Sequence, residues 1–144
     1  MEFWFSLPPD STYFGFQTLL TIENVGQIFR SGDLIIFYIA GAGSVKKQIK
    51  SLKSQNHIFA YDSNRTMGIF INGVKGESLT LPQDFVFTHT YSQVSFTLPG
   101  NYIEGDYIIY NSLAFYNKVL NEKEIKSHIM WGLNDSKPQS YIKK

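Results

Sequence analysis

The chain of 144 residues has 13 basic and 12 acidic residues mixed along its length, and nothing in the sequence indicates the strongly basic face that nucleic-acid binding requires. No apolar run approaches the roughly 18 residues of a membrane-spanning helix, so neither a nucleic-acid nor a membrane partner is predicted. The first ten residues carry an acid at position 2 and Pro8-Pro9, which is not the pattern of a signal peptide.

The composition favours a single all-β domain. Aromatic residues make up 16% of the chain, with 12 Phe and 9 Tyr, and such residues fit half-buried pleated surfaces. A chain of this length buries a core without disulfides or metal. Since there is no cysteine, the cytosol, a virion and a bacterial surface all stay open as compartments.

The first part of the chain predicts five strands, at residues 2–7, 17–23, 27–30, 34–39 and 45–52. In the first strand, Phe3 and Phe5 share one face and Trp4 lies on the other. Residues 34–39 are almost continuously apolar, which is typical of a central strand covered on both faces. The run 46–53 is the most basic segment, and we interpret it as a solvated edge or loop.

A β meander occupies the centre of the sequence. Residues 57–62 alternate, with Ile58 and Ala60 on one face and Phe59 and Tyr61 on the other. After a second strand at 67–71, Asn72-Gly73 predicts a type I′ hairpin turn. Residues 76–84 are predicted as a connection because Pro82 does not fit a central strand. Short strands are expected at 85–88 and 93–98.

The C-terminal part predicts a long strand at 106–117 and the only helix. Alternation in the strand places Leu113 on the same face as Asn111. Asn121 and Glu124 form a capping box, and Gly132 predicts the end of the helix near Trp131. Residues 1–131 are therefore predicted as the domain, and residues 132–144 as a polar C-terminal tail or linker.

Two segments together resemble the concanavalin A-like (laminin-G-like) jelly-roll family. One is HIFAYD at 57–62 followed by GIFINGV at 68–74, and the other is LAFYNKVLNEKEI at 113–125. Their order and separation match that family's paired central strands and its final strand with a short helix. The resemblance implies a two-sheet antiparallel jelly-roll sandwich with one short C-terminal helix, in agreement with the many short strands.

The sequence departs from that family at two places. Asn56 stands where the family usually has Trp, and the family usually has another strand before Phe3-Trp4-Phe5. The missing strand suggests either an excerpt from a longer polypeptide or a sheet edge completed by another chain. We therefore expect protein partners at the N-terminal strand edge or at the tail 132–144.

No catalytic site is predicted, and the chain is interpreted as not being an enzyme. The glycoside hydrolases that this family resembles use carboxylates in a Glu-x-Asp-x-x-Glu pattern. Here Glu104-Gly105-Asp106 is followed by no third acid within the strand. His57, His89 and His128 are scattered, which argues against a zinc site, and there is no nucleophile elbow or phosphate loop.

Carbohydrate binding is the main site hypothesis, since sugar sites combine an aromatic ring with a few polar groups. The loop at 8–16 offers Asp10, Tyr13 and Phe14, and residues 88–91 offer His89 and Tyr91. The alternative, left open, is that these aromatics only pack the rim of the sandwich. The resemblance also implies calcium at the rim, with Asp62, Asn64 and Asp106 as the candidate ligands; no other cofactor is predicted.

Two functions follow from these observations. The first is a non-catalytic structural or recognition module of a larger assembly, such as a phage tail, fibre or capsid decoration, or of a surface protein. The second is a lectin-like, carbohydrate-binding adhesion domain. Both place the protein in a virion or at an extracellular or cell-surface location.

Overall fold

The structure, a computed structural model, describes residues 1–7, 15–23, 25–63, 65–86, 94–95 and 108–135. These residues form ten strands and one helix. The elements are β1 (Glu2–Ser6), β2 (Phe16–Ile22), β3 (Gly26–Ser31), β4 (Leu34–Ile39), β5 (Gly43–Gln48), β6 (Asn56–Ser63), β7 (Thr66–Ile71), β8 (Val74–Thr80), β9 (Val94–Ser95), β10 (Ile109–Ala114) and α1 (Glu122–Asp135).

The strands form two five-stranded antiparallel sheets that pack face to face. Sheet A has the order β10-β1-β6-β7-β8, and sheet B has the order β5-β4-β3-β2-β9. Their inner faces meet in one apolar core, and α1 covers part of the outer face of sheet A through a second cluster around Phe59 and Ile125. The predicted two-sheet sandwich with one C-terminal helix is therefore confirmed.

The alternation predicted for the central meander matches the two clusters. Ile58 and Ala60 lie in the core between the sheets, whereas Phe59 and Tyr61 lie on the opposite face under the helix. The turn at Asn72-Gly73 has φ angles of 52° and 76°, as a type I′ hairpin requires. Period-2 patterning therefore predicted both faces of β6.

Asn56, the residue before His57, has a specific structural role. Its side chain is 2% exposed. Its Nδ2 atom donates to the carbonyl oxygens of Ser51 and Ser54 at 2.8 Å, and its Oδ1 atom accepts from Asn72 Nδ2 at 2.9 Å. A hydrogen-bonded amide therefore ties the loop before β6 to the β7–β8 hairpin.

The helix begins with the predicted capping box. Asn121 Oδ1 accepts from the amides of Lys123 and Glu124, each at 3.0 Å. Glu124 Oε2 in turn accepts from the Asn121 amide at 2.9 Å. Reciprocal bonds of this kind satisfy amide groups that the first helical turn leaves unpaired.

We expect Asn121→Ala to lower the free energy of unfolding by about 1 kcal/mol, because two amides lose their acceptor. Urea denaturation monitored by circular dichroism measures this change. Asn117→Ala, at an exposed position before the helix, is the matched control. Equal unfolding midpoints for the two variants would contradict a stabilising cap.

The predicted end of the helix at Gly132 is wrong, because α1 continues to Asp135. A Cβ atom at position 132 would overlap the indole ring of Trp4, which is itself buried. Gly132 therefore lets the helix approach the sheet closely instead of ending it. A glycine required by tertiary packing looks the same in sequence as a C-terminal stop.

The alternation predicted for the last strand is also wrong, because β10 contains a bulge. Phe3 pairs with Leu113 and Trp4 pairs with Asn111, so Ser112 is an extra residue, with a φ of 46°. The bulge shifts the side-chain parity. Leu113 consequently packs on the core with Tyr110 instead of sharing a face with Asn111.

The predicted open edge at the N-terminal strand is a further error. β1 pairs with β6 on one side and with β10 on the other, so it is an inner strand of sheet A. Its buried residues on both faces are consistent with this position. Partner binding through a β1 edge is therefore excluded by the pairing. The two edge strands of sheet A are β10 and β8. β8 extends to Thr80, although the sequence predicted a connection at residues 76–84.

Candidate functional site

The outer face of sheet B, which we call the open face, is not covered by any element in the described part of the chain. This corrects the prediction for residues 34–39. Ile35, Phe37 and Ile39 are buried in the core, but Tyr38 points outward and is 38% exposed. β4 is thus an inner strand of sheet B, with one face packed on the core and the other face exposed to solvent.

A row of polar and aromatic side chains crosses the open face at one end. Thr21 on β2 pairs with Gln27 on β3, Gln27 pairs with Tyr38 on β4, and Tyr38 pairs with Ser44 on β5. Directly opposite residues of antiparallel strands project to the same face. The pairing therefore aligns a hydroxyl, a carboxamide, a phenol ring and a second hydroxyl across four neighbouring strands.

The row borders a shallow depression of about 420 Å³. Thr21, Gln27 and Tyr38 line it, and Val25 and Ala40 close it at the β2–β3 end. Ligand sites of this kind combine an apolar or aromatic surface with a few polar groups that fix orientation. Thr and Gln side chains both donate and accept hydrogen bonds, as sugar hydroxyls do.

An apolar strip continues from this row along the open face. Phe29 and Ile36 pair in the next row, and Phe16 lies beyond them with 55% of its surface exposed. The Phe16 and Phe29 ring centroids lie 4.5 Å apart, inclined at 35°. Since two residues advance a strand by about 7 Å, the three rows span about 14 Å. The open face can therefore hold an extended ligand.

Gly26 allows β3 and β4 to lie close together at the end of the row. A Cβ atom there would overlap the carbonyl oxygen of Tyr38 on the neighbouring strand. Any larger residue at this position would push β3 away from β4. The glycine next to Gln27 therefore preserves the register that brings Gln27 and Tyr38 side by side.

The sites predicted from the sequence lie elsewhere. Asp10, Tyr13, Phe14, His89 and Tyr91 fall outside the described residues, as do Asn64, Glu104 and Asp106 of the calcium and carboxylate hypotheses. Asp62 is described and lies half-buried near the end of β6. Within the described residues, no cluster of three or more His, Cys, Asp or Glu side chains is arranged to hold a metal ion.

The sequence interpretation missed Gln27, Tyr38 and Thr21. The signal was present in the alternation, since Gln27 precedes buried Ile28 and Tyr38 stands between buried Phe37 and Ile39. The signal is weak because Leu34 and Ile36, which also lie at outward positions of β4, are apolar and resemble core residues. Apolar outward positions hide a surface that strict polar alternation would have revealed.

A second polar cluster lies under the helix and is centred on Glu2. Its Oε2 atom accepts from His57 Nε2 at 3.0 Å, and its Oε1 atom accepts from the Tyr116 hydroxyl at 2.6 Å. His128 Nδ1 on α1 lies 3.0 Å from both carboxylate oxygens. The His57 ring is fully buried and lies 4.9 Å from the Trp4 ring.

The Glu2 carboxylate is held in its charged form. Burial by itself would raise the pKa of Glu2, but the hydrogen bonds from His57, Tyr116 and His128 outweigh it and lower the pKa from 4.5 to about 2. Burial and the bond to Glu2 raise the pKa of Tyr116 to about 12. Both carboxylate oxygens are engaged by groups from β6, α1 and the segment after β10, so the cluster fastens these elements together.

Comparisons with known proteins identify the fold. No family model matches the chain, and no curated protein matches it. Among solved structures, it is similar to the botulinum neurotoxin type G receptor-binding domain, with 14% identity, a TM-score of 0.72, and coverage of 91% of this chain and 37% of that one. The binding domain of botulinum neurotoxin serotype C1 gives 14% identity, a TM-score of 0.65, and 90% and 35% coverage.

A third similar structure concerns the cell entry of botulinum neurotoxin type C, described as dependent upon interaction with two ganglioside molecules. It shares 12% identity, a TM-score of 0.62, and 90% and 35% coverage with this chain. The chain therefore spans about a third of the length of these structures. At this level of identity the likeness establishes the sandwich fold alone. In the described part of the chain, no helix is long and apolar enough to cross a membrane.

Proposed function

We propose that this chain is a non-catalytic recognition module of a larger extracellular or surface protein, and that it binds carbohydrate through the open face of sheet B. The observation that carries the proposal is the row of Thr21, Gln27, Tyr38 and Ser44 across four paired strands. It combines an exposed aromatic ring with aligned hydroxyl and amide groups. The similar fold of receptor-binding domains, one of them described with gangliosides, supports the same class of ligand.

The chemistry of the open face favours an uncharged, hydroxyl-rich ligand. Of its described residues, Lys46 carries the only charge, and the polar groups around Tyr38 are a carboxamide and hydroxyls. Such groups exchange hydrogen bonds with sugar hydroxyls, while an aromatic ring contacts the apolar face of a pyranose. The length of about 14 Å across three rows suits an oligosaccharide better than a single sugar.

A glycan array followed by titration calorimetry tests this proposal. We expect Tyr38→Ala to weaken binding of the best array ligand by at least about tenfold, since a central aromatic contact is lost. Tyr38→Phe should keep most of the affinity because the ring is retained. The Tyr38 side chain is 38% exposed, so both variants should unfold close to the wild type.

Phe115→Ala is the matched control, because it also truncates an exposed aromatic side chain. Phe115 is 49% exposed and directly follows β10, which belongs to sheet A and not to sheet B. It should bind the glycan like the wild type. An array without any ligand, or a glycan whose affinity is unchanged in Tyr38→Ala, would refute carbohydrate binding at the open face.

A second candidate is an architectural module whose open face is buried against another chain. The observation that favours it is the apolar strip, in which Phe16 is 55% exposed and packs on Phe29. Exposed apolar strips often mark protein interfaces. Light scattering over a range of protein concentrations separates the two functions: assembly predicts an oligomer that Ile36→Lys dissociates, together with an empty glycan array.

Membership in the concanavalin A-like family is also proposed, on the resemblance of residues 57–74 and 113–125. It is supported by the strand pairing at 57–62 and 66–71 and by the capped helix that follows β10. Assembly in a virion stays a prediction, and so does partner binding through the tail 132–144, of which residues 136–144 lie outside the described residues.

A further inference from the structure

The outward side of α1 carries a stripe of exposed side chains that neither proposed function uses. Its members recur three or four residues apart, as residues on one face of a helix do. We call them the outer stripe: Lys123, Lys126, Ser127, Met130 and Trp131. The opposite side of α1 packs on sheet A through Ile125 and Gly132. The outer stripe is therefore the surface that α1 presents to solvent, and it is about 12 Å long.

The C-terminal end of the outer stripe is apolar. Trp131 is 73% exposed and Met130, the residue before it, is 62% exposed. The other tryptophan of the chain, Trp4, is only 6% exposed. Covering Trp131 and Met130 would remove a large apolar area from water, which is favourable. Two large apolar side chains exposed side by side therefore mark a contact surface.

Lysines adjoin this apolar end. Lys126 precedes Met130 by one helical turn and Lys123 precedes it by two, and neither lysine forms an ion pair in the described part of the chain. On β8, Lys75 pairs with Phe70, whose ring packs under α1. Directly opposite residues project to the same face of a sheet. Lys75 therefore adds a third ammonium group on the outer side of sheet A, beside the helix.

The acidic groups of α1 lie away from the apolar end. Glu124 is paired with Lys118 at 2.5 Å, and Glu122 begins the helix, about 13 Å along its axis from Trp131. The Glu2 carboxylate is engaged on the inner side of the helix. Among the described side chains, three lysines therefore stand against one exposed acid around the outer stripe, and this excess of positive charge attracts an anionic partner.

We propose that the outer stripe is a contact surface for an anionic lipid bilayer, with Trp131 and Met130 at the level of the headgroups and the lysines against their negative charges. Tryptophan and methionine occur at protein interfaces and at membrane surfaces alike, but lysine is depleted at protein interfaces. Tryptophan with lysine on an exposed helix face is typical of helices that lie on anionic membranes.

The position of α1 agrees with a bilayer as the partner. The helix lies on the outside of sheet A, so the outer stripe is convex, and a fluid bilayer surface accepts a convex surface without a preformed groove. The sequence predicted no membrane partner because no segment is long enough to span a bilayer. A helix that lies on the surface of a bilayer does not need such a segment.

Vesicle binding by the whole chain tests the proposal. Of the two tryptophans in the chain only Trp131 is exposed, so a change in intrinsic fluorescence reports on the outer stripe. Phosphatidylcholine vesicles with about 30% phosphatidylserine should sediment the protein and shift its emission to the blue. Vesicles of phosphatidylcholine alone should bind at least about tenfold more weakly, and about 0.5 M salt should release the protein from the anionic vesicles.

Two variants separate the apolar and the charged contributions in the sedimentation assay. Trp131→Ala should weaken binding by about tenfold, because it removes most of the exposed apolar area. The double variant Lys123→Gln/Lys126→Gln should weaken it by at least about tenfold, since each lysine near an anionic surface contributes about fivefold. Lys46→Gln/Lys50→Gln is the matched control: it removes the same charge from exposed positions on and just after β5 and should bind like the wild type.

The inference is overturned if anionic vesicles do not bind the chain, if both kinds of vesicle bind equally, if Trp131→Ala binds like the wild type, or if the two double variants lose binding equally. An oligomer that Trp131→Ala dissociates would also overturn it, because the outer stripe would then be a contact between copies of the chain. Glycan binding is tested separately, since α1 and the open face lie on opposite sides of the sandwich. Tyr38→Ala should keep vesicle binding, and Trp131→Ala should keep glycan binding.

Discussion

Replacing Glu2 by alanine should lower the free energy of unfolding by about 3 kcal/mol. The substitution removes the acceptor shared by His57, Tyr116 and His128, and breaking a buried, hydrogen-bonded charge cluster typically costs this much. The side chain of Glu2 is only 13% exposed, so solvent screens the interaction little. Urea denaturation at neutral pH measures the change, with Glu23→Ala, at an exposed turn, as the matched control.

The same carboxylate predicts a pH dependence. Since the pKa of Glu2 is lowered from 4.5 to about 2 in the folded protein, the unfolded chain takes up a proton first as the pH falls. Stability from this group is complete above about pH 4.5 and is lost as the pH falls toward 2, by about 3 kcal/mol in total. Glu2→Gln should be less stable than the wild type at pH 6 and should lack this part of the acid dependence. Parallel stability curves for the two proteins between pH 5 and 2.5 would contradict the assignment.

Phe59→Ala should be the most destabilising single substitution considered, at about 4 kcal/mol. Phe59 is fully buried between sheet A and the helix, with Phe70, Leu120 and Ile125 around it. Truncating a buried phenylalanine removes apolar burial and leaves a cavity, which costs about 3–5 kcal/mol. Chemical denaturation measures the loss, and hydrogen exchange should show the amides of α1 losing protection before those of β3 and β4.

Phe16→Ala gives the matched comparison, since the same atoms are removed from a side chain that is 55% exposed. Its expected cost is below about 1 kcal/mol, because the residue is already in contact with water. Similar unfolding free energies for Phe59→Ala and Phe16→Ala would show that the helix does not pack on sheet A as described.

Local sequence patterns correctly predicted those parts of the fold that depend only on residues close together in the chain. Alternation placed Ile58 and Phe59 on opposite faces, and Asn121 with Glu124 marked the start of the helix, because side-chain period and capping are local properties. The patterns failed where tertiary contacts decide. Ser112 adds a bulge that local propensity does not predict. Position 132 must be glycine because a Cβ atom there would overlap the indole ring of Trp4.

The candidate site was missed for a related reason. The sequence predicted a sugar site at the loops with Tyr13 and Tyr91, because aromatic residues in loops are typical of such sites. The row of Gln27 and Tyr38 exists only once β3 and β4 are paired in register. A strand such as β4, apolar at nearly every position, does not reveal from sequence which of its faces is covered, since that depends on where the helix docks.

Amide NMR mapping with the best array glycan tests most directly whether carbohydrate binds on the open face of sheet B. Binding at the proposed site should give the largest shift changes at Thr21, Gln27, Tyr38 and Ser44, and these changes should disappear in Tyr38→Ala. Shift changes confined to residues 8–14 and 87–93, with none on β2 to β5, would contradict it and return the site to the loops.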